Sequence, residues 1–256
     1  MSREALLEVN GLSHSFGGLT AVAELDFTAT RGQIKGIIGP NGAGKTTLFN
    51  LIAGILPAKV GTIRFKGEIV NRMPAHKRVD SGMARTFQNL QLFAGMSVLE
   101  NVMIGCHART RASFLEAVLR SPASVRETRS VRDRAMAALA EFGLERLAKR
   151  QATDISFGEG KVVEIARALA AEPELVMLDE PTAGLPHGDI QEVATVIRKL
   201  NDDGITVLLV EHNMRLVMSL CDDILVLNYG RRIAEGRPEV VRKDPEVLSA
   251  YLGEDA

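Results

Sequence analysis

The chain has 256 residues, 46% of them hydrophobic and 25% charged, the balance of an ordinary globular protein. A formal net charge of −1 supplies no global field for a nucleic-acid partner, and no apolar run approaches the roughly 20 residues of a membrane-spanning helix. Residues 1–9 lack the apolar core of a signal peptide, and Cys106 and Cys221 stand apart without metal-ligand spacing, which suits small packing residues in a reducing compartment.

In chain order, residues 6–9 and 21–27 read as short strands around a turn at Phe16, Gly17 and Gly18. The apolar run of residues 34–38 reads as a buried strand. It leads into Gly39, Pro40, Asn41, Gly42, Ala43, Gly44, Lys45, Thr46 and Thr47, which fit the phosphate-loop pattern GxxxxGK[ST] at every fixed position. Leu48, Leu51, Ile52 and Ile55 then recur at helical spacing. Residues 60–65 predict another strand, with Gly61 and Gly67 as turn residues near its ends. These pieces predict a small, largely antiparallel sheet beside the phosphate-loop unit. From residue 89 to 150 the chain turns helical, with an alanine-rich periodic stretch at 134–142 and Gly143 as a stop. Core-type strands return at 175–178, ending in Asp179 and Glu180, and at 205–210, ending in Glu211 and His212. A helix at 190–200 lies between them, a βαβ rhythm that predicts a parallel sheet. No internal repeat or low-complexity linker separates these parts, so the helical stretch reads as an insertion within one nucleotide-binding domain.

Strand, glycine turn and helix N-terminus together make an anion site. Backbone N–H groups point at phosphates, and the helix dipole favours their charge. The flanking strand and helix argue against a chance glycine-rich turn. Lys45 is placed to reach the β- and γ-phosphates and Thr46 to ligate Mg²⁺. Phosphoryl transfer also needs a carboxylate for the metal at a strand end. Asp179 supplies it, through a water, and Glu180 next to it is the candidate general base for the attacking water. An apolar run ending in two acids is weak evidence by itself; joined to the phosphate loop it is strong.

Over residues 6–253 the chain resembles the ATP-binding subunits of ATP-binding-cassette transporters. The resemblance implies an α/β P-loop NTPase (RecA-like) fold: a parallel-sheet core, an antiparallel β subdomain and an inserted α-helical subdomain. It implies one nucleotide-binding domain across 1–256, with 89–160 as the helical insertion and 231–256 as a short C-terminal extension. Phe16 matches the aromatic that stacks on adenine. Gln88 matches the glutamine that senses Mg²⁺ and water beside the membrane partner. Residues 155–160 occupy the signature position before a helix, with Ser156, Gly158 and Glu159 as its nucleotide-contacting residues. His212 matches the switch histidine that contacts the γ-phosphate. Singly, Phe16 reads as packing, Gln88 as a solvated strand end and His212 as a cap; their joint order and spacing decide for the site. Two departures stand out. Phe157 and Glu159 replace a glycine and a glutamine of the signature, and Pro186 replaces an aspartate. In the family the signature completes the ATP site of the other subunit, so Phe157 bears on the partner's site.

Within the family the chain is most similar to the larger ATPase subunit of bacterial branched-chain amino-acid importers. The likeness rests on the degenerate signature, on Gln91, Leu92 and Phe93 after the glutamine, on residues 211–218 and on the ending 250–253. The stretch 107–134, with seven arginines against three acids, also looks like that subunit's longer insertion. A solvated face is favoured over contact with anionic lipid. Leu90, Leu92 and Phe93 read equally as core or as the wall of a groove for a short helix of the membrane subunit.

The resemblance implies ATP and Mg²⁺ as ligands and two integral membrane permease subunits as partners. It further implies a second ATPase subunit, a different chain favoured over a second copy, and an extracytoplasmic solute-binding protein reached indirectly. It implies no nucleic acid, and a peripheral position on the cytoplasmic face of the inner membrane. Branched-chain amino acids are the expected cargo, with urea, short amides, other amino acids or extracted lipid as alternatives. A soluble ATPase of translation or DNA repair is the rival from another class; such relatives usually carry two cassettes or a long coiled coil. A third reading makes Phe157 the mark of a binding-only partner with little turnover.

Overall fold

The computed structural model describes residues 4–86, 88, 90–106 and 122–252. Asn89, residues 107–121 and Gly253, on which parts of the sequence reading fall, lie outside the described residues.

The strands are β1 (Ala5–Phe16), β2 (Leu19–Thr30), β3 (Ile34–Ile38), β4 (Val60–Phe65), β5 (Glu68–Ile69), β6 (Met83–Arg85), β7 (Leu175–Asp179), β8 (Thr206–Val210), β9 (Asp223–Asn228) and β10 (Arg231–Gly236). The α-helices are α1 (Lys45–Ile52), α2 (Ala75–Asp80), α3 (Val98–Gly105), α4 (Pro122–Ala140), α5 (Phe157–Leu169), α6 (His187–Asp202), α7 (Met214–Leu220), α8 (Pro238–Val241) and α9 (Pro245–Leu252). Two sheets result, in the orders β2-β1-β4-β5 and β10-β9-β3-β8-β7-β6. The first is antiparallel. In the second, β9, β3, β8, β7 and β6 run parallel and β10 closes one edge antiparallel to β9.

Strands β3, β7 and β8 are buried at every residue. Parallel strands covered on both faces read as continuous apolar runs, which is why the sequence exposes them. Their side chains alternate between two cores. Leu175, Met177, Leu208 and Val210 join α1 and the antiparallel sheet. Val176, Leu178, Val207 and Leu209 join the core formed with residues of α3, α4, α5, α6 and α7. Lys35 is the one charge on β3. It is buried and ion-paired with Asp223 of β9 and, at 2.6 Å, with Glu235 of β10, so the edge strand neutralises the charge of a central one.

Three local expectations are corrected. The first two strands are each 12 residues long and form one hairpin. Register shifts along it, near Gly11 (φ 56°) and Glu24 (φ 47°), break the period-two pattern that would have revealed its length. Gly61 lies inside β4 and is no turn residue: a Cβ there would sit 2.4 Å from the Gly11 carbonyl oxygen, so it permits β4 to approach β1. Ile55 lies past the end of α1, beyond Gly54, and is half exposed.

Candidate nucleotide site

Register places the site. Ile37 of β3 pairs with Val210 of β8, and Val210 pairs with Asp179 of β7. The three strands therefore end together, so the loops after Ile38, Asp179 and Val210 share the carboxyl edge, where ligands of open α/β sheets bind.

The phosphate loop depends on two glycines. Gly39 holds φ 149°, and a Cβ there would lie 2.1 Å from the Leu227 carbonyl oxygen. Gly44, the N-cap of α1, holds φ 99°, and a Cβ there would meet the Ala21 carbonyl oxygen at 2.2 Å. No side chain caps α1, so its first turn presents backbone donors and the positive end of the dipole. A Cβ on Gly42 would meet nothing within 4 Å, an open cradle wall. Pro40 and Ala43 are buried, Asn41, Gly42 and Thr46 exposed, and Thr47 half-buried. Lys45 is buried and donates to the carbonyls of Gly39 at 2.5 Å and Pro40 at 2.9 Å, bracing the loop. Phe16 ends β1, half exposed, in an edge-to-face contact with His14 at 4.7 Å. The Ala21–Gly44 approach lays its hairpin against the start of α1.

Glu180 is where distant predictions converge. Its Oε2 accepts from Gln88 Nε2 at 2.7 Å, and its Oε1 meets His212 Nε2 at 2.7 Å. An ionised carboxylate there requires the Nε2–H tautomer or the imidazolium of His212. Glu180 holds φ 49°, a left-handed conformation that costs a non-glycine residue about 1–3 kcal/mol and is concentrated at functional sites. Its N–H bonds the Val210 carbonyl at 2.9 Å, pinning the strained residue to the sheet. Asp179, buried, accepts from Arg85 Nη2 at 2.8 Å, and Arg85 Nη1 reaches Asn50 of α1 at 2.7 Å. A hard cation takes oxygen ligands, and Thr46, Gln88 and Asp179 offer a hydroxyl, an amide oxygen and a carboxylate, a donor set that fits Mg²⁺.

The signature residues are arranged differently. Ser156 is the N-cap of α5 and forms a capping box with Glu159: Ser156 Oγ accepts from Glu159 N at 3.1 Å, and the Glu159 carboxylate accepts from Ser156 N at 3.0 Å. Arg146 also donates to Glu159, at 2.8 Å. The Ser156 N–H first, and Arg146 after it, hold the Glu159 carboxyl below its ordinary range. The replacement of glutamine by Glu159 thus has a local rationale: Ser-x-x-Glu closes the helix start. A Cβ on Gly158 would lie 2.5 Å from Asp189 Oδ2. The Phe157 ring is half exposed, with the Lys161 ammonium 5.6 Å from its centroid. These bonds stay around the start of α5 and do not reach the phosphate loop of the same chain.

Sequence reasoning missed Glu211. Buried, it accepts from Thr182 N at 2.9 Å and Thr182 Oγ1 at 2.5 Å with one oxygen, and from His212 N at 3.0 Å and Asn213 N at 3.3 Å with the other. It ties the loop after Glu180 to the loop carrying His212. Its only sequence signal is a carboxylate at the end of an apolar strand, the same one that marks Asp179. Arg85 and Asn50 carried no signal at all.

Residues 22–183, more than half of the chain, match the family model described as ABC transporter. The chain belongs to the ABC transporter family. Residues 231–256 match a second model, described as branched-chain amino acid ATP-binding cassette transporter. The cassette is 42% identical over 255 residues to the high-affinity branched-chain amino acid transport ATP-binding protein BraF of Pseudomonas aeruginosa, covering 99% of this chain and 100% of that one. It is 40% identical over 252 residues to the corresponding protein LivG of Escherichia coli, covering 98% and 99%. The crystal structure of an ATP-binding cassette of an ABC transporter in its ADP conformation superposes with a TM-score of 0.85 at 33% identity, over 97% of this cassette and 99% of that chain. The expected P-loop fold is the one observed, and the cassette is an ATPase that binds adenine nucleotide. Among the described residues no helix is long and apolar enough to cross a membrane.

Proposed function

We propose that the cassette is the ATP-hydrolysing subunit of an importer for branched-chain amino acids. The observation that carries the cargo is the match of residues 231–256 to the branched-chain model, alongside whole-length likeness to BraF and LivG. The chain acts at the cytoplasmic face of the inner membrane. Two permease subunits carry the solute, a second, different ATPase subunit pairs with this one, and an extracytoplasmic binding protein delivers the cargo. The helical segment 89–160 faces the permeases, and 231–256 forms the C-terminal extension.

The residues divide the work as follows. Residues 39–47 wrap the phosphates with backbone N–H groups, Lys45 offsets the charge on the β- and γ-phosphates, and Phe16 stacks on adenine. Mg²⁺, held by Thr46, Gln88 and, through water, Asp179, would neutralise charge that develops during phosphoryl transfer. Glu180 takes the proton of the attacking water, oriented by Gln88 and His212. His212 Nε2 sits on the same carboxylate and can share its proton with the γ-phosphate. Ser156, Gly158 and Glu159 face the nucleotide of the partner subunit, and closure of the pair on two ATP molecules moves the permeases.

Uptake of labelled leucine, isoleucine and valine by a host strain lacking the gene tests this reading. Restoration by the parent gene and not by Lys45→Ala is the expected result. Unchanged uptake of all three in the deletion strain sinks the cargo assignment.

A further inference from the structure

Helix α5 buries two charged side chains, Lys161 and Glu164, and half-buries a third, Arg167, and all three turn to the segment that carries Gln88. Lys161 Nζ donates to the Gln88 carbonyl at 2.7 Å. Glu164 Oε1 accepts from Gln91 N at 2.8 Å, and Arg167 Nη1 donates to the Gln91 carbonyl at 2.6 Å. Arg167 Nη2 also reaches Glu164 Oε1 at 3.3 Å. The i, i+3, i+6 spacing puts the three on one helix face. Beside them Gly160 is bare: a Cβ there would lie 2.8 Å from Leu90 Cδ2, so the segment lies directly on the helix.

Burial of this kind is expensive. Lys161 and Glu164 are 3% and 2% exposed, and burial pushes the ammonium down and the carboxyl up from their ordinary values. Among the described residues Lys161 takes no carboxylate within ion-pair distance; its partners are a backbone oxygen and the Phe157 ring. An apolar face would pack a helix on a loop at lower cost. What charged ends add is direction: they fix individual backbone atoms of 88 and 91. Gln88 is thereby held at both ends, its carbonyl on α5 and its side-chain amide on Glu180 of the β7 end. A displacement of α5 relative to β7 must change the Gln88–Glu180 contact.

We propose that Lys161, Glu164 and Arg167 clamp the backbone at Gln88 and Gln91 and act as positioning residues for the Gln88 amide at Glu180. The α5 helix that begins at the signature thus sets the geometry of the hydrolytic carboxylate in its own chain. This rests on the roles given above to Gln88 and Glu180.

The test compares Lys161→Met, Lys161→Arg, Gln88→Ala and the Lys161→Met/Gln88→Ala double variant in the full chain. Backbone amide exchange is read over residues 88–92, and ATP turnover is split into kcat and KM. The clamp requires faster exchange at 90–92 in Lys161→Met, with the phosphate loop unchanged. It also requires a kcat lowered about tenfold or more, from misplacement near the reacting atoms, at near-parent KM. Lys161→Arg should recover most of both. In the Gln88→Ala background Lys161→Met should cost about twofold at most, because the two act through one contact. Parent-like exchange at 90–92, or a full tenfold further loss in the double variant, overturns the clamp. Should Lys161→Met fail to fold, Arg167→Met releases the other end and faces the same criteria. Gln88→Ala turning over at the parent rate would instead refute the role given to Gln88, while the exchange data still judge the clamp.

Discussion

Glu211→Gln is the perturbation whose cost the geometry defines best. The carboxylate accepts four hydrogen bonds, two on each oxygen, and every donor is fixed: three are backbone N–H groups and one is the Thr182 hydroxyl. An amide keeps one acceptor oxygen. It serves either the Thr182 pair or the His212 and Asn213 pair, and its NH₂ must face the donors left over. Hydrogen bonds to a charged acceptor are worth about 1.5–3 kcal/mol each, so losing two costs about 3–6 kcal/mol before relaxation. The long 3.3 Å bond from Asn213 is the weakest of the four and lowers that figure. A net loss of about 2–4 kcal/mol follows, which for a chain of this size lowers Tm by roughly 5–15 °C. Urea unfolding with an unchanged m-value reads the loss. Turnover should fall as well, because both loops that frame Glu180 are released. A variant within about 0.5 kcal/mol of the parent, the range of ordinary surface changes, would refute the account of Glu211 as the tie between the loops.

Glu180→Gln should lower turnover by about 10²–10⁴-fold while leaving ATP binding intact, measured by single-turnover hydrolysis and nucleotide titration; parent-rate hydrolysis would exclude Glu180 as the base. Arg78, fully buried, donates to the carbonyls of Leu51 and Ile52 at the end of α1 and to those of Val70 and Met73. Arg78→Met strands these groups at about 1–3 kcal/mol apiece, so a stability loss below about 2 kcal/mol in a denaturant titration counts against that role. Burial pushes the Cys221 thiol up to about 12 and raises Cys106 as well. Because the folded-state pKa of Cys221 lies above the unfolded one near 9, its contribution to stability is whole below pH 9 and is lost as pH rises towards 12. Pulse alkylation at pH 8 should therefore modify neither cysteine in the native cassette and both in denaturant; rapid native labelling contradicts the burial.

Much of the site was legible because its chemistry is local. The phosphate loop is nine consecutive residues whose own backbone makes the cradle, so its pattern is visible without any fold. Asp179 and Glu180 were legible as the end of an apolar run joined to a phosphate loop, and His212, at the end of a second such run, took its role from the resemblance. The capping box of Ser156 and Glu159 went unread, although Ser-x-x-Glu before a helix is its local pattern; the structure supplies it, and it accounts for a residue that resemblance alone marks as an anomaly.

Tertiary structure decided whatever depends on partners far along the chain. The register of β3, β8 and β7 carries Glu180 and His212 to one edge, where Gln88 meets them across a contact that no spacing encodes. Glu211 and Arg85 lie at strand ends and the clamp residues along α5, and their identity says nothing of which distant atoms they hold. Bulges hid the length of the first hairpin for the same reason, since each shift is set by the neighbouring strand. Sequence periodicity reports which face of an element is buried. It does not report what that face meets, because the choice of partner is made by long-range packing.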